Sequence, residues 1–277
     1  PTWLRRQRQM CIRDRGNGTL FKDIERTAKI LPNFFENAHV NLIEINKELR
    51  KIQEKNLNYF KQSKIRWSKA LNFRSKLPSI IYSNEFFDCF PVRQFLNDNN
   101  HWFERYVKFN EKENKYYSIN KRVISKKILN SLSKYKKQKI YEVSYSRNKY
   151  FEQICKYLKK NRGICILIDY GYNEKIKNFT LQAIYNHKKT SIFENIGQQD
   201  ISSHVNFNEL IEIAKQNGLQ INEFVSQRDF LIKYGILERK KKLLTKNSNL
   251  NKNLLDEEVD RLINVERMGK LFNFLVV

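Results

Sequence analysis

Apolar side chains recur at three- to four-residue intervals after Gly16-Asn17-Gly18-Thr19-Leu20, at Phe21, Ile24, Ala28 and Leu31. This spacing predicts a helix fed by a glycine turn and stopped by Pro32. Residues 39–45 form a mostly apolar run closed by an acid, Glu44, which reads as a strand, and Asn46 then caps a helical stretch over 47–59. Short strands follow near 65–67 and at 80–83, the second running into Asn84-Glu85-Phe86-Phe87-Asp88. From 101 to 124 aromatic and polar residues alternate (Trp102, Phe103, Tyr106, Val107), predicting a β-hairpin inserted after the first half of the sheet. Residues 150–159 are amphipathic and helical, and 163–171 is a central buried strand with polar residues at its carboxyl end. Helices near 207–216 and 255–262 precede an apolar closing strand at 271–277. Helices alternating with buried strands predict an α/β protein with a parallel sheet covered on both faces, which binds ligands at the strands' carboxyl ends.

Composition narrows the picture. The 277 residues, 40% hydrophobic and 13% aromatic, suffice to bury a core, and apolar runs such as 164–168 are far too short to span a membrane. Cys11, Cys89, Cys155 and Cys165 have no CxxC or Cys/His spacing, so neither a disulfide framework nor a zinc site is indicated and a reducing compartment is expected. His187 and His204 have no metal-ligand spacing, so no metal is expected. The net charge of +24 suggests a polyanion-binding surface. Two features favour a solvated lysine-rich surface instead: Lys, Asn and Ile are enriched together, as A/T-rich codons write them, and bases are scattered among acids, as in Glu111-Lys112-Glu113. The most basic stretch is 126–139.

The opening residues 1–15 (PTWLRRQRQMCIRDR) are Arg-rich where the rest is Lys-rich, and they contain no initiator Met. Met10–Arg15 is what a transposon-end DNA string used in sequencing libraries encodes, so this segment reads as adapter-derived and non-native. A basic arm or a mitochondrial presequence is the alternative. The expected organisation is a non-native segment 1–15 and a single domain 16–277, lacking its native N-terminal part, with an insertion at about 101–140.

Three groups of residues carry candidate chemistry. A glycine turn at a helix start aims unpaired N–H groups at a ligand, and an acid at the tip of the next strand suits a ribose diol. Gly18 and Glu44 have that relation, although an ordinary turn and an exposed strand end would look the same. Glu85 and Asp88 either hold a cation or take a proton at the sheet edge, or cap a following helix while Phe86 and Phe87 fill the core. Asp169 ends a buried strand, where it either serves the site or caps a turn.

Several segments together resemble the MidA-like class I methyltransferases. They include 16–20, Leu42-Ile43-Glu44-Ile45, the string 84–95 (NEFFDCFPVRQF), Glu142-Val143-Ser144, 168–172, Thr180-Leu181-Gln182-Ala183, 200–207 (DISSHVNF) and 268–272. The resemblance implies a Rossmann-like sheet with an inserted β-hairpin and extra helices. It also implies that S-adenosyl-L-methionine is held by the loop glycines Gly16 and Gly18, by Glu44 at the ribose and by Asn84 at the next strand end. The first strand and the leading glycine of the family's loop have no counterpart before Gly16. Mitochondrial relatives imply transfer to a protein arginine, giving symmetric dimethylarginine on a respiratory complex I subunit. Glu85 and Asp88 would then orient the guanidinium, whose delocalised lone pair makes it a poor nucleophile. Competing expectations are a non-catalytic assembly or binding factor with the same fold, and an RNA methyltransferase that uses the basic surface. The expected location is a bacterial cytoplasm, or the mitochondrial matrix in a eukaryote.

Overall fold

The structure, a computed structural model, describes residues 17–28, 30, 39–58, 65–70, 76–246 and 251–277. Residues 1–15, with the adapter reading, and Gly16 lie outside them. The chain order begins with helix α1 (Thr19–Ala28), strand β1 (Val40–Ile43), α2 (Lys47–Asn56), β2 (Ile65–Ser68) and β3 (Ser79–Asn84). Next come β4 (Arg93–Asp98), β5 (His101–Asn110), β6 (Lys115–Arg122), α3 (Lys126–Leu132), β7 (Ile140–Val143), α4 (Tyr145–Asn161) and β8 (Gly163–Tyr172). The remainder is β9 (Gln182–Tyr185), β10 (Lys188–Thr190), β11 (Asp200–Ser202), β12 (Val205–Asn206), α5 (Phe207–Gln216), β13 (Glu223–Ser226), α6 (Gln227–Lys233), α7 (Ile236–Lys246), α8 (Lys252–Ile263) and β14 (Phe272–Val276).

The chain forms two units, one of Pro1–Ser75 with Gln182–Ser202, the other of Lys76–Leu181 with Ser203–Val277. In the first unit β1 and β2 run parallel, Val40 opposite Ile65 and Ile43 opposite Ser68. Phe21, Leu57 and Ile65 make its small core, with Val40, Leu42 and Trp67 against them. Helix α2 starts where expected because the Asn46 side chain accepts the N–H groups of Glu48 and Leu49, a cap that contributes about 1 kcal/mol. Strands β10, β9 and β11 form a separate antiparallel ribbon.

In the second unit β8 is the central strand. Its residues Ile166, Leu167 and Ile168 pair with β3 in parallel and with β14 antiparallel, so those two strands lie on opposite edges of it. Strand β13 adds antiparallel to β14, and Gly171 and Tyr172 pair in parallel with Val205 and Asn206 of β12. The sheet therefore bears the expected parallel strands, β3 and β12 beside β8, and adds β14 and β13 antiparallel. Apolar periodicity fixes which faces are buried, not which way a strand runs. Helix α4 packs Phe151, Ile154, Cys155 and Leu158 into the core, and β8 contributes Cys165 and Leu167. Cys89, Cys155 and Cys165 are buried, and burial pushes the Cys155 and Cys165 thiols up to about 12.

The hairpin is present as β5 and β6, in register from Phe103–Arg122 to Asn110–Lys115. It is half of a four-stranded antiparallel sheet in the order β6-β5-β4-β7. Phe95, Trp102, Val123, Leu132, Tyr141 and Val143 form the core of this sheet. The salt bridge from Arg93 Nε to Glu104 Oε1, 2.6 Å, ties β4 to β5. Among the described residues no helix is long and apolar enough to cross a membrane.

Candidate active site

Parallel pairing of β3 with β8 sets Asn84 level with Ile168, so both strands deliver their polar ends to one edge of the sheet. The Glu85 N–H donates to the Ile168 carbonyl at 2.9 Å, and the turn that follows is built on Asp169. One oxygen of the fully buried Asp169 carboxylate accepts three successive backbone N–H groups, from Phe86 (3.2 Å), Phe87 (2.9 Å) and Asp88 (3.3 Å). Its other oxygen accepts the Tyr170 N–H at 3.0 Å. Burial, then the neighbouring Asp88 charge, holds the Asp169 carboxyl well above the usual carboxylate range. Asp88 is 1% exposed, and the Tyr170 hydroxyl donates to its carboxylate.

Glu85 sits in the left-handed region at φ 50°, which a side chain other than glycine adopts at a cost. Its half-buried carboxylate accepts from the Asn84 amide at 3.2 Å. The helix that Glu85 and Asp88 could have capped is absent: the turn leads into β4. Phe87 is buried and packs edge-on against Phe151, whereas half-buried Phe86 packs edge-on against Phe90 and at a tilt against Tyr150.

Behind the turn lies a buried polar layer. Arg147, projecting from the first turns of α4, donates to the carbonyls of Phe87 (3.4 Å) and His204 (3.2 Å), and its burial lowers the guanidinium pKa. Glu142 of β7 accepts from the Gln94 amide at 2.5 Å, from the Thr180 N–H at 3.0 Å and from the Thr180 hydroxyl. The Thr180 hydroxyl oxygen in turn accepts the His204 N–H at 3.0 Å. Four motifs far apart in sequence, around residues 94, 142, 180 and 204, thus meet in one hydrogen-bonded layer. Sequence reasoning gave no role to Arg147 or Tyr170. The one readable signal was Asp169, an ionisable residue directly after the apolar run 164–168.

The first unit carries the other candidates. Gly18 opens α1 at φ 91°, a conformation that L side chains rarely adopt, with the Asn17 side chain accepting the Thr19 N–H at 3.3 Å. Glu44 follows β1 directly, is 7% exposed, and accepts the Asn46 N–H at 2.7 Å. A left-handed glycine at a helix start and an acid at the tip of the next strand fit a nucleoside cofactor, with the acid suited to a ribose diol. Among the described residues no cluster of His, Cys, Asp and Glu could hold a metal ion.

The mixed sheet centred on β8, with helices and an inserted antiparallel sheet, is a class I Rossmann-like methyltransferase fold. Two crystal structures from Burkholderia thailandensis share it. One is a native superfamily protein at TM-score 0.73 and 21% identity, covering 85% of this chain and 65% of that one. The other, a superfamily member bound to S-adenosyl-homocysteine, matches at TM-score 0.73 and 22% identity, covering 85% and 62%. A family model described as "Putative S-adenosyl-L-methionine-dependent methyltransferase" matches residues 15–225, and the chain belongs to that family. The family's description names S-adenosyl-L-methionine as the methyl donor. Curated relatives include the mitochondrial protein arginine methyltransferase NDUFAF7 of Danio rerio, 23% identical over 95% of this chain and 67% of that protein. The Caenorhabditis elegans homolog is 26% identical over 65% of this chain and 43% of its own length. The chain thus spans between two fifths and two thirds of the proteins it matches.

Proposed function

We propose that the protein transfers a methyl group from S-adenosyl-L-methionine to an arginine side chain of another protein, with symmetric dimethylarginine as the product and a respiratory complex I subunit as one candidate acceptor. The observation that carries this reading is Glu85, an acid held in the left-handed region at the carboxyl edge of the sheet, where strain is retained for use. The names of the curated relatives supply the arginine. The cofactor, its nucleoside held by Gly16, Gly18 and Glu44 of the first unit, supplies when bound a methyl group already activated by its sulfonium. The chain's task is then to orient the acceptor and exclude water. A guanidinium stays protonated at neutral pH. The Glu85 carboxylate accepts its N–H groups, localises its charge, presents one nitrogen for attack and takes the proton which that nitrogen sheds as it gains the methyl group. Asp88, fixed by Tyr170, positions the turn from which Glu85 projects.

Calorimetric binding of S-adenosyl-homocysteine, combined with tritium transfer from labelled S-adenosyl-L-methionine to host proteins scored for methylarginine, tests the reading. Glu44→Ala is expected to weaken cofactor binding at least tenfold. Glu85→Gln is expected to leave binding unchanged and lower transfer about 100-fold, the scale of a misplaced acceptor. If Glu85→Gln and Asp88→Asn both transfer at the wild-type rate while Glu44→Ala still loses cofactor, the acceptor assignment is wrong.

A further inference from the structure

A second concave site lies within the second unit, between α3, β7 and α5. Two adjoining cavities of about 220 and 300 Å³ share Tyr135, Tyr141, Glu209 and Glu212 as walls. The Tyr135 and Tyr141 rings stack with centroids 3.8 Å apart. The Tyr141 hydroxyl donates to one Glu209 oxygen, and the Asn148 amide donates to the other at 2.8 Å. That second bond commits the Asn148 amide orientation, so its oxygen is an acceptor, and this buried oxygen has no donor. Asn206, 9% exposed and lining the larger cavity, also keeps a buried side-chain oxygen without a donor. It immediately precedes α5 but does not spend that oxygen on a cap.

The charge balance here is opposite to that of the whole molecule. The two cavities are lined by Glu174, Glu209 and Glu212 against Lys134 and Lys175, in a chain of net charge +24. Lys134 shows what the walls attract: its ammonium sits 4.8 Å from the Tyr135 ring centroid and 3.5 Å from a Glu212 oxygen. Unsatisfied acceptors, carboxylates and aromatic faces call for a planar cation rich in donors. An ammonium has three donors on one atom, whereas a guanidinium spreads five across a flat fork that also stacks on a ring.

We propose that the larger of these cavities is a binding site for the guanidinium of an arginine within a peptide, held by the Asn206 oxygen, Glu209 and Glu212. It does not rest on methyl transfer and is tested without cofactor, so its failure leaves the catalytic reading standing. The probe is Nα-acetyl-L-arginine methylamide, titrated into the full chain by calorimetry and followed by NMR. The expected result is saturable one-site binding, at least fivefold weaker for the blocked lysine analogue and absent for the blocked citrulline analogue, which keeps the shape but not the charge. Free L-arginine, which has a charged α-ammonium and α-carboxylate in place of the two peptide groups, is expected to bind more weakly than the blocked form; equal or tighter binding would assign the site to the free amino acid and overturn the peptide assignment.

Glu212→Gln should weaken binding at least fivefold, and Lys134→Ala, by removing the competing ammonium, should tighten it at least threefold. A misfolded variant cannot produce that gain. Asn206→Leu should weaken binding without lowering the melting temperature, since it deletes an oxygen the fold leaves unsatisfied. Absence of saturable binding, equal binding of the citrulline analogue, or wild-type affinity in both Glu212→Gln and Lys134→Ala would mean that the cavity holds only water, and would overturn the proposal.

Discussion

Asp169 does more with one side chain than any other residue of the site. Its single carboxylate oxygen replaces the water that three consecutive N–H groups would otherwise need, which is why the turn after β3 keeps one shape without a helix. Its carboxyl is raised above the ordinary value of 3.8, so the folded state binds more protons than the unfolded state between that value and the raised one. The contribution of Asp169 to stability is full below about pH 4 and is lost as pH rises through the raised value, by up to about 1.4 kcal/mol per pH unit. Asp169→Asn retains an acceptor and removes the titration. Urea unfolding across pH 4–8 is expected to show a flatter profile for the variant, and a profile as steep as the wild type would place the titration elsewhere. Asp169→Ala leaves the N–H groups without an acceptor and should cost about 1–3 kcal/mol at any pH in that range. Glu85 and Asp88 were legible as acids after an apolar strand. Their unlike surroundings, one half-buried and one enclosed, were not, because enclosure comes from Tyr170 and Arg147, which are distant in sequence.

At the level of elements, close approach decides what periodicity cannot. A Cβ added at Gly171 would lie 2.1 Å from the Val205 carbonyl oxygen and 2.8 Å from the Phe207 ring, so β12 can pair with the end of β8 only beside a glycine. Gly171→Ala is therefore expected to cost about 1–3 kcal/mol, read as a lower urea midpoint, and to detach Val205 and Asn206 from the sheet, read as faster amide exchange at those two positions. Unchanged exchange there would show that the added Cβ is accommodated with the pairing intact. Elements with a local signal were readable: the Asn46 cap placed α2, and the aromatic-polar alternation placed β5 and β6. Helix α4 begins at Tyr145, before the expected 150, because its first turn is polar and is set by the Ser144 cap rather than by apolar spacing. Strands β4 and β7 were missed as partners of the hairpin, since their pairing joins residues about fifty positions apart. Helices α6 and α7 escaped notice because lysines and other polar residues interrupt their apolar stripes.

The molecule as a whole divides its chemistry between two units, the nucleoside-type residues Gly18 and Glu44 in one, and the Glu85 turn and the arginine cavity in the other. Its strong positive charge is a property of the surface, whereas the cavity is lined by a majority of acids, so net charge alone pointed away from the chemistry of this site. Alternation of strand and helix foretold the α/β class, and the order of short motifs foretold the family. The polar layer joining those motifs required the fold. Among the described residues the buried cysteines Cys89, Cys155 and Cys165 all belong to the second unit and sit in different elements: Cys89 in the turn after β3, its sulfur 2.9 Å from the Phe86 carbonyl oxygen, Cys155 in α4 and Cys165 in β8. Each reacts with an alkylating reagent only when its surroundings open, so the chain carries its own clocks for motion. In a Cys11→Ser background, mass spectrometry of timed labelling is expected to show Cys89 modified first and Cys155 and Cys165 together later. Equal rates at all three would mean that the turn bearing Glu85 opens only when the entire unit does, and that an acceptor must reach it without help from local breathing.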